Sequence, residues 1–254
     1  MSRSFVAALA FCLGANASAA EREITVAAAS DLKLAMDEVA AEFQKRQPGV
    51  SLKVSYGSSG NFFAQLSQQA PYDLFFSADA EYPRRLEADG HTLADSFFLY
   101  AVGRVAVWVP RAASLDLEKN GLKALLAPEI KKVAIANPRH APYGRAAESA
   151  LRHFGVYEGV QPKLVFGENV AQAAQFAESG AADAGIIAYS LALAPAMQKA
   201  GRLWEVPPGA YPRMEQGGVV LKWVKDASQA RSFRAYVIGP EGRAILERWG
   251  FSLP

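Results

Sequence analysis

Ile24-Thr25-Val26-Ala27-Ala28-Ala29-Ser30-Asp31-Leu32-Lys33-Leu34-Ala35-Met36 is the stretch on which the fold turns. It opens as a β-prone run and shrinks to small residues ending in Ser30. Leu32, Met36, Val39 and Phe43 then recur at helical spacing until Pro48-Gly49 stops the helix. A strand, a short loop of small and hydroxyl residues and an amphipathic helix form one unit, and the chain repeats its grammar. Leu52-Lys53-Val54 leads through Gly57-Ser58-Ser59-Gly60 to a helix carrying Phe63 and Leu66, and Asp73–Ser77 makes a third strand. Such alternation predicts an α/β protein with parallel strands.

Phe97 to Val109 is nearly continuous apolar sequence interrupted at Gly103. It is too long for an average strand and suits one that crosses between two domains. Beyond it the pattern restarts. Val133–Ala136, Lys163–Phe166 and Ala184–Ile187 read as strands, with helices through Ala147, Leu151 and Phe154 and from Val170 to about Ser179. Gly217–Val224 reads as a returning strand, and two short helices broken at Gly239-Pro240 close the chain. The expected layout is a first lobe of residues 21–102 plus 217–254 and a second of 103–216, with hinges near 101–104 and 215–218. Each lobe is expected to be a mainly parallel sheet flanked by helices, with a cleft between.

Residues 1–20 combine Arg3, the apolar run Phe5–Leu13 and Ala17-Ser18-Ala19, the pattern of a secretory signal peptide. That run is under half of the roughly 20 residues a membrane span needs. Cleavage after residue 20 removes Arg3 and Cys12, leaving 26 basic against 25 acidic residues and no thiol, which suits an oxidising compartment. The whole chain carries 27 Lys+Arg, 25 Asp+Glu and mixed signs throughout. No block of like charge suggests a nucleic-acid footprint.

Four strand-to-helix junctions are built from small or hydroxyl residues: Ala29-Ser30, Ser58-Ser59, Ala141-Pro142-Tyr143-Gly144 and Asn169-Val170. A helix N-terminus presents unpaired N–H groups and the positive end of a dipole. Ligands of open parallel sheets bind beyond the carboxyl ends of the strands. Two facing lobes would bring the four junctions to one point. Plain capping accounts for any one of these serines taken alone.

Signatures of catalysis are largely missing. Ser59 follows Gly57 but has Asn61 where a nucleophile elbow needs its second glycine. Neither a P-loop nor a dinucleotide fingerprint occurs. His91, His140 and His153 are scattered; His140 beside the third junction reads as an outer donor or a solvent-exposed residue. Asp73, Asp79 and Asp183 near strand ends suit turn and cap roles. An exported hydrolase using Ser59 is the alternative from a different class, and it lacks an identifiable base.

The ordered set ITVAAASDLKLAM (24–36), SYGSSG (55–60) with FFAQL (62–66), APYDLFFSAD (70–79), ANPRHAPYGRAA (136–147), KLVFGENV (163–170), AGIIAYSLA (184–192) and GPEGRAILERWGF (239–251) resembles the molybdate-binding receptors of ABC transporters. These have the type II periplasmic binding-protein fold. The resemblance implies a monomeric periplasmic receptor that captures molybdate or tungstate and delivers it to a membrane permease, with no resident cofactor. It implies that the anion is held by hydroxyls and backbone N–H groups: Ser30, Ser59, the adjacent Ser58, and the N–H of Val170. Two positions depart from the better-known pattern. Pro142-Tyr143-Gly144 stands where some members have Pro-Ala-Gly. Ala188 stands where they have a ligand tyrosine, with Tyr189 one residue later and so facing the other way in a strand. Either Tyr143 supplies the phenol as well as its N–H, or it gives the N–H alone. A site of donors only, with no carboxylate in the junction motifs, would favour a fully deprotonated dianion over phosphate. Sulfate is the alternative ligand of the same class.

Overall fold

A computed structural model describes residues 22–254; the leader at 1–20 and Cys12 lie outside the described residues. β1 (Arg22–Ala29) turns through Ser30–Leu32 into α1 (Lys33–Arg46). β2 (Val50–Gly57) leads into α2 (Ser59–Leu66), β3 (Leu74–Ser77) into α3 (Glu81–Ala88), and β4 (Phe98–Gly103) follows. β5 (Val105–Pro110) opens the second half, with α4 (Leu117–Asn120), β6 (Val133–Ala136), α5 (Pro142–His153), α6 (Tyr157–Val160), β7 (Leu164–Gly167) and α7 (Val170–Glu178) after it. β8 (Ala184–Ala188), α8 (Tyr189–Ala192), α9 (Pro195–Ala200) and β9 (Gly201–Glu205) complete that half. β10 (Met214–Val220) returns, and α10 (Ala227–Ile238) and α11 (Pro240–Arg248) finish the chain.

These strands make two five-stranded sheets, ordered β2-β1-β3-β10-β4 and β7-β6-β8-β5-β9. β1 is parallel to β2 and β3, while β10 is antiparallel to β3 and β4. The second sheet repeats this, β6 being parallel to β7 and β8 and β5 antiparallel to β8 and β9. The sheets are therefore mixed in one strand each: four of the five run the same way, as the sequence pattern suggests, and β10 or β5 runs against them. The reason is topological. A strand arriving from the other lobe starts at the cleft, where the parallel strands end, and so runs against them.

Burial follows the pleat. Ile24, Val26 and Ala28 pack with α1, α10 and α11 residues such as Met36, Phe233 and Leu246, while Ala27 faces Phe62, Leu66 and Phe75 on the other side. With both faces covered, β1 has no polar alternation, which is why it reads as a continuous apolar run.

The lobe boundaries shift slightly from those expected at 103 and 217. Gly103 still pairs with Met214 in the first sheet, so the outgoing crossing falls at Arg104 and the return falls between Glu205 and Met214. Gly217-Gly218 looks like the start of a strand but lies inside one. A Cβ at Gly218 would sit 2.8 Å from the Phe75 carbonyl oxygen, so the absence of a side chain there permits close strand and ring packing. Arg104 anchors the crossing. Its guanidinium donates to Glu205 at 2.6 Å and to the Gly250 carbonyl at 3.3 Å, and lies 4.1 Å from the centre of the Tyr189 ring.

Candidate functional site

All four junctions converge on one small cavity between the lobes. Ala29, Ser30, Ser58, Ser59, Tyr143 and Val170 line it, together with Asp31 and Ala78. Its volume is about 10 Å³, near the threshold for one water-sized group and far below the roughly 300–1,000 Å³ of sites for drug-sized ligands.

Neither serine singled out as a donor acts as a helix cap. Ser58, not Ser59, is the N-cap of α2, and its side chain makes no capping bond. Ser30 likewise makes no cap bond, the residue before the turn being Ala29. Instead the Ser59 hydroxyl accepts the Ala78 N–H at 3.0 Å, and the Ser30 hydroxyl accepts the Ala171 N–H at 3.3 Å from the other lobe. A serine hydroxyl has one proton and two lone pairs. With an amide already donating to its oxygen, each is left to point its proton elsewhere, and both are buried at the cavity wall.

The amides of Ser59, Tyr143 and Val170 stand in the first turns of α2, α5 and α7, where no intrahelical carbonyl reaches them. Asn169 caps α7 by accepting from Ala171 and Gln172 at 3.0 and 3.1 Å; the Val170 N–H is not part of that cap. Two hydroxyls and three amides thus meet in a space that no lysine or arginine lines.

The two tyrosines separate. Tyr189 starts α8 outside the cavity, its N–H bonded to the Arg104 carbonyl at 2.8 Å and its ring beneath the Arg104 guanidinium. The departure from strand geometry, one residue beyond Ala188, turns it to the hinge. The Tyr143 phenol is also directed to the hinge: it accepts from Gln216 Nε2 at 3.4 Å, and a Cβ on Gly103 would lie 2.6 Å from it. Tyr143 lines the cavity, and its backbone N–H stands in the first turn of α5.

His140 is an inter-lobe contact. Its Nδ1 lies 3.0 Å from Ser58 Oγ, and its carbonyl accepts the Gly60 N–H at 2.9 Å. Asn61 donates to Glu168, and Arg145 pairs with Asp79 at 2.7 Å, adding further bonds across the cleft. Asp73 and Asp183 keep the structural roles expected of strand ends, accepting backbone N–H groups of Thr25 and of Lys131 and Lys132.

The one ionisable side chain among the cavity residues that the sequence did not single out is Asp31. Asp31 is 1% exposed, its Oδ2 accepts from Gln216 Nε2 at 2.6 Å, and its Oδ1 has no partner. This corrects the expectation of a site without a carboxylate. Burial pushes its pKa up to about 6, against the opposing pull of the Gln216 amide and the nearby Tyr143 phenol. As pH rises from the ordinary carboxylate range through about 6, the folded state holds a proton that the unfolded chain has lost, so stability falls. The loss is about 3 kcal/mol for a shift of roughly two units. Asp31→Asn removes it. At pH 8 the variant is expected to be more stable than the wild type by up to about 3 kcal/mol in urea unfolding, and at pH 4 by little. Equal increments at both pH values would contradict this origin.

Residues 24–252 match the family described as bacterial extracellular solute-binding proteins. The molybdate-binding protein ModA of Rhodobacter capsulatus is 34% identical over 98% of this chain and 96% of its own. ModA of Azotobacter vinelandii is 35% identical over 100% of this chain and 98% of its own. The solved periplasmic molybdate-binding protein of Azotobacter vinelandii superposes with a TM-score of 0.84 at 33% identity, covering 91% of this chain and 99% of that one.

Proposed function

The chain belongs to the bacterial extracellular solute-binding proteins, and we propose that within this family it is a periplasmic receptor for a tetrahedral dianion, molybdate first and tungstate with it. It would act as a monomer and hand the anion to the permease of an ABC transporter. Relatives named as molybdate-binding over nearly the full length support the ligand. The observation that carries the reading is the pair of buried serines, each with an amide bonded to its oxygen and a proton left for the cavity.

A hydrogen bond to a charged group contributes about 1.5–3 kcal/mol net. Five such donors offset the costs of ordering and desolvation and leave about 8–12 kcal/mol, micromolar to nanomolar affinity. The molybdenum centre would be enclosed by its own four oxygens, which take all the contacts. Closure about Arg104 and the 206–213 segment would bring the second lobe's Tyr143 and Val170 to the first lobe's serines. Gly60–His140, Asn61–Glu168 and Arg145–Asp79 would then hold the lobes together.

The hydrolase alternative names Ser59, whose hydroxyl accepts the Ala78 N–H, whereas the histidine contact falls on its neighbour Ser58. His140 approaches Ser58, but its other nitrogen is 3.8 Å from Glu168, beyond hydrogen-bond reach, and Glu168 is bonded to Asn61 instead. No third group orients that imidazole as a triad requires. We read the contact as part of the closed cleft.

Calorimetric titration of the ligand-free protein with molybdate, tungstate, sulfate and phosphate tests the reading. Sub-micromolar binding of the two larger dianions, at least tenfold tighter than sulfate, is expected. Equal or tighter binding of sulfate would move the receptor to another anion.

A further inference from the structure

Asp31 is the acidic residue among those that line the cavity, next to Ser30 in the chain. Its Oδ2 is committed to Gln216, while Oδ1 is buried without a partner. The titratable groups that face it are phenols: Tyr143 from α5, and Tyr100 from β4, whose hydroxyl donates to the Ser77 carbonyl at 3.0 Å. α7 brings Val170 and Ala171 to this turn. α8 brings Ser190, whose hydroxyl donates to the Asp31 carbonyl at 2.8 Å. On α1, Lys33 is paired with Asp37 at the surface. Among the described residues no lysine or arginine lines the cavity beside Asp31. An ionised carboxylate and a dianion would share a closed, poorly hydrated space, where low dielectric makes like charges unfavourable neighbours.

We propose that capture of the dianion takes up one proton at Asp31, so that the loaded site holds this side chain as the neutral acid, with its Oδ1–H serving as one more donor to the anion. The inference rests on the receptor reading above. The step balances as carboxylate, solvent proton and free dianion giving the carboxylic acid and bound dianion, with no bond in the anion broken. In the closed cleft without the anion, burial raises the pKa of the group to about 6. Below that pH the proton is already in place, and above it each anion bound must bring one in.

The test is a titration of the full mature chain with molybdate and with sulfate from pH 5.5 to 8.5. The dissociation constant is expected to be flat below about pH 6 and to rise tenfold per unit above it, roughly 100-fold by pH 8. Calorimetry at pH 8 in buffers of different ionisation enthalpy should count about one proton taken up per anion. Asp31→Asn should abolish the slope and bind more tightly than the wild type at pH 8. A flat wild-type profile with no proton uptake overturns the inference while leaving the receptor reading intact. A slope that persists in Asp31→Asn overturns it too. Failure of both anions to bind at any pH removes the receptor reading and this inference together. If Asp31→Asn does not fold, the wild-type proton count decides alone.

Discussion

Replacing Ser30 and Ser59 together with alanine should weaken oxyanion binding by about 3–6 kcal/mol, a rise in dissociation constant of roughly 10²–10⁴. Each hydroxyl contributes about 1.5–3 kcal/mol as a donor to a charged ligand, and the two sit on different junctions of the first lobe. The substitution has a second consequence. The Ala78 amide loses the oxygen it donates to, whereas the Ala171 amide keeps Asn169 Oδ1 at 3.0 Å; a buried donor left without an acceptor loosens the loop that carries it. Each single variant is expected to cost about 1–3 kcal/mol. Calorimetry reads the affinity, and thermal unfolding shows whether the lobes remain intact. A double variant within threefold of the wild type would reduce both serines to loop-holding roles.

Gly144→Ala should produce a large effect for a single methyl group, on stability and binding together. Gly144 lies in the first turn of α5, directly after the Tyr143 amide. A Cβ there would fall on the Ala136 carbonyl oxygen and 2.7 Å from the Pro138 nitrogen, both on the backbone that leads out of β6. Rigid backbone on that side means α5 must lift away. Overpacking of this kind costs about 1–3 kcal/mol, occasionally more. In an open helix position the same change would gain close to 1 kcal/mol, so the sign alone is diagnostic. The lift also withdraws the Tyr143 N–H from the cavity. Loss of stability in a melt together with at least a tenfold loss of binding is expected. Unchanged values of both would show that the turn yields without moving the amide.

The element order and the four junctions were legible because they rest on local signals. The period of Leu32, Met36, Val39 and Phe43, the stop at Pro48-Gly49 and the small residues before each helix are written into neighbouring positions. Strand direction was less accessible. Nothing in Met214–Val220 states that it enters from the other lobe, and two glycines inside it imitate a turn. β9 carries Arg202 and Glu205 and lacks clear alternation, so it gives no strand signal by itself.

In the site, Ser30, Ser59, Tyr143 and Val170 were legible as helix starts, and the structure brings them together. Asp31 was not. An aspartate in the first turn of a helix is the commonest way to complement its dipole, so its sequence context is bland. Only folding shows that Tyr143 from residue 143 and Gln216 from residue 216 close over it and deny it water. Tyr189 is a different case. The one-residue shift from Ala188 already set it apart from the ligand position, and its place after β8 puts it with Arg104 at the crossing.

The central claim is that a dianion is held where the four junctions meet, by neutral donors. Crystals grown with tungstate test it directly, because the heavy atom reports its own position by anomalous scattering. A single peak is expected between the hydroxyls of Ser30 and Ser59 and the backbone nitrogens of Ser59, Tyr143 and Val170, with hydrogen-bond distances of about 2.7–3.2 Å from the donors to the anion's oxygens and no lysine or arginine in contact. A peak elsewhere, or one held by basic side chains, would contradict the account.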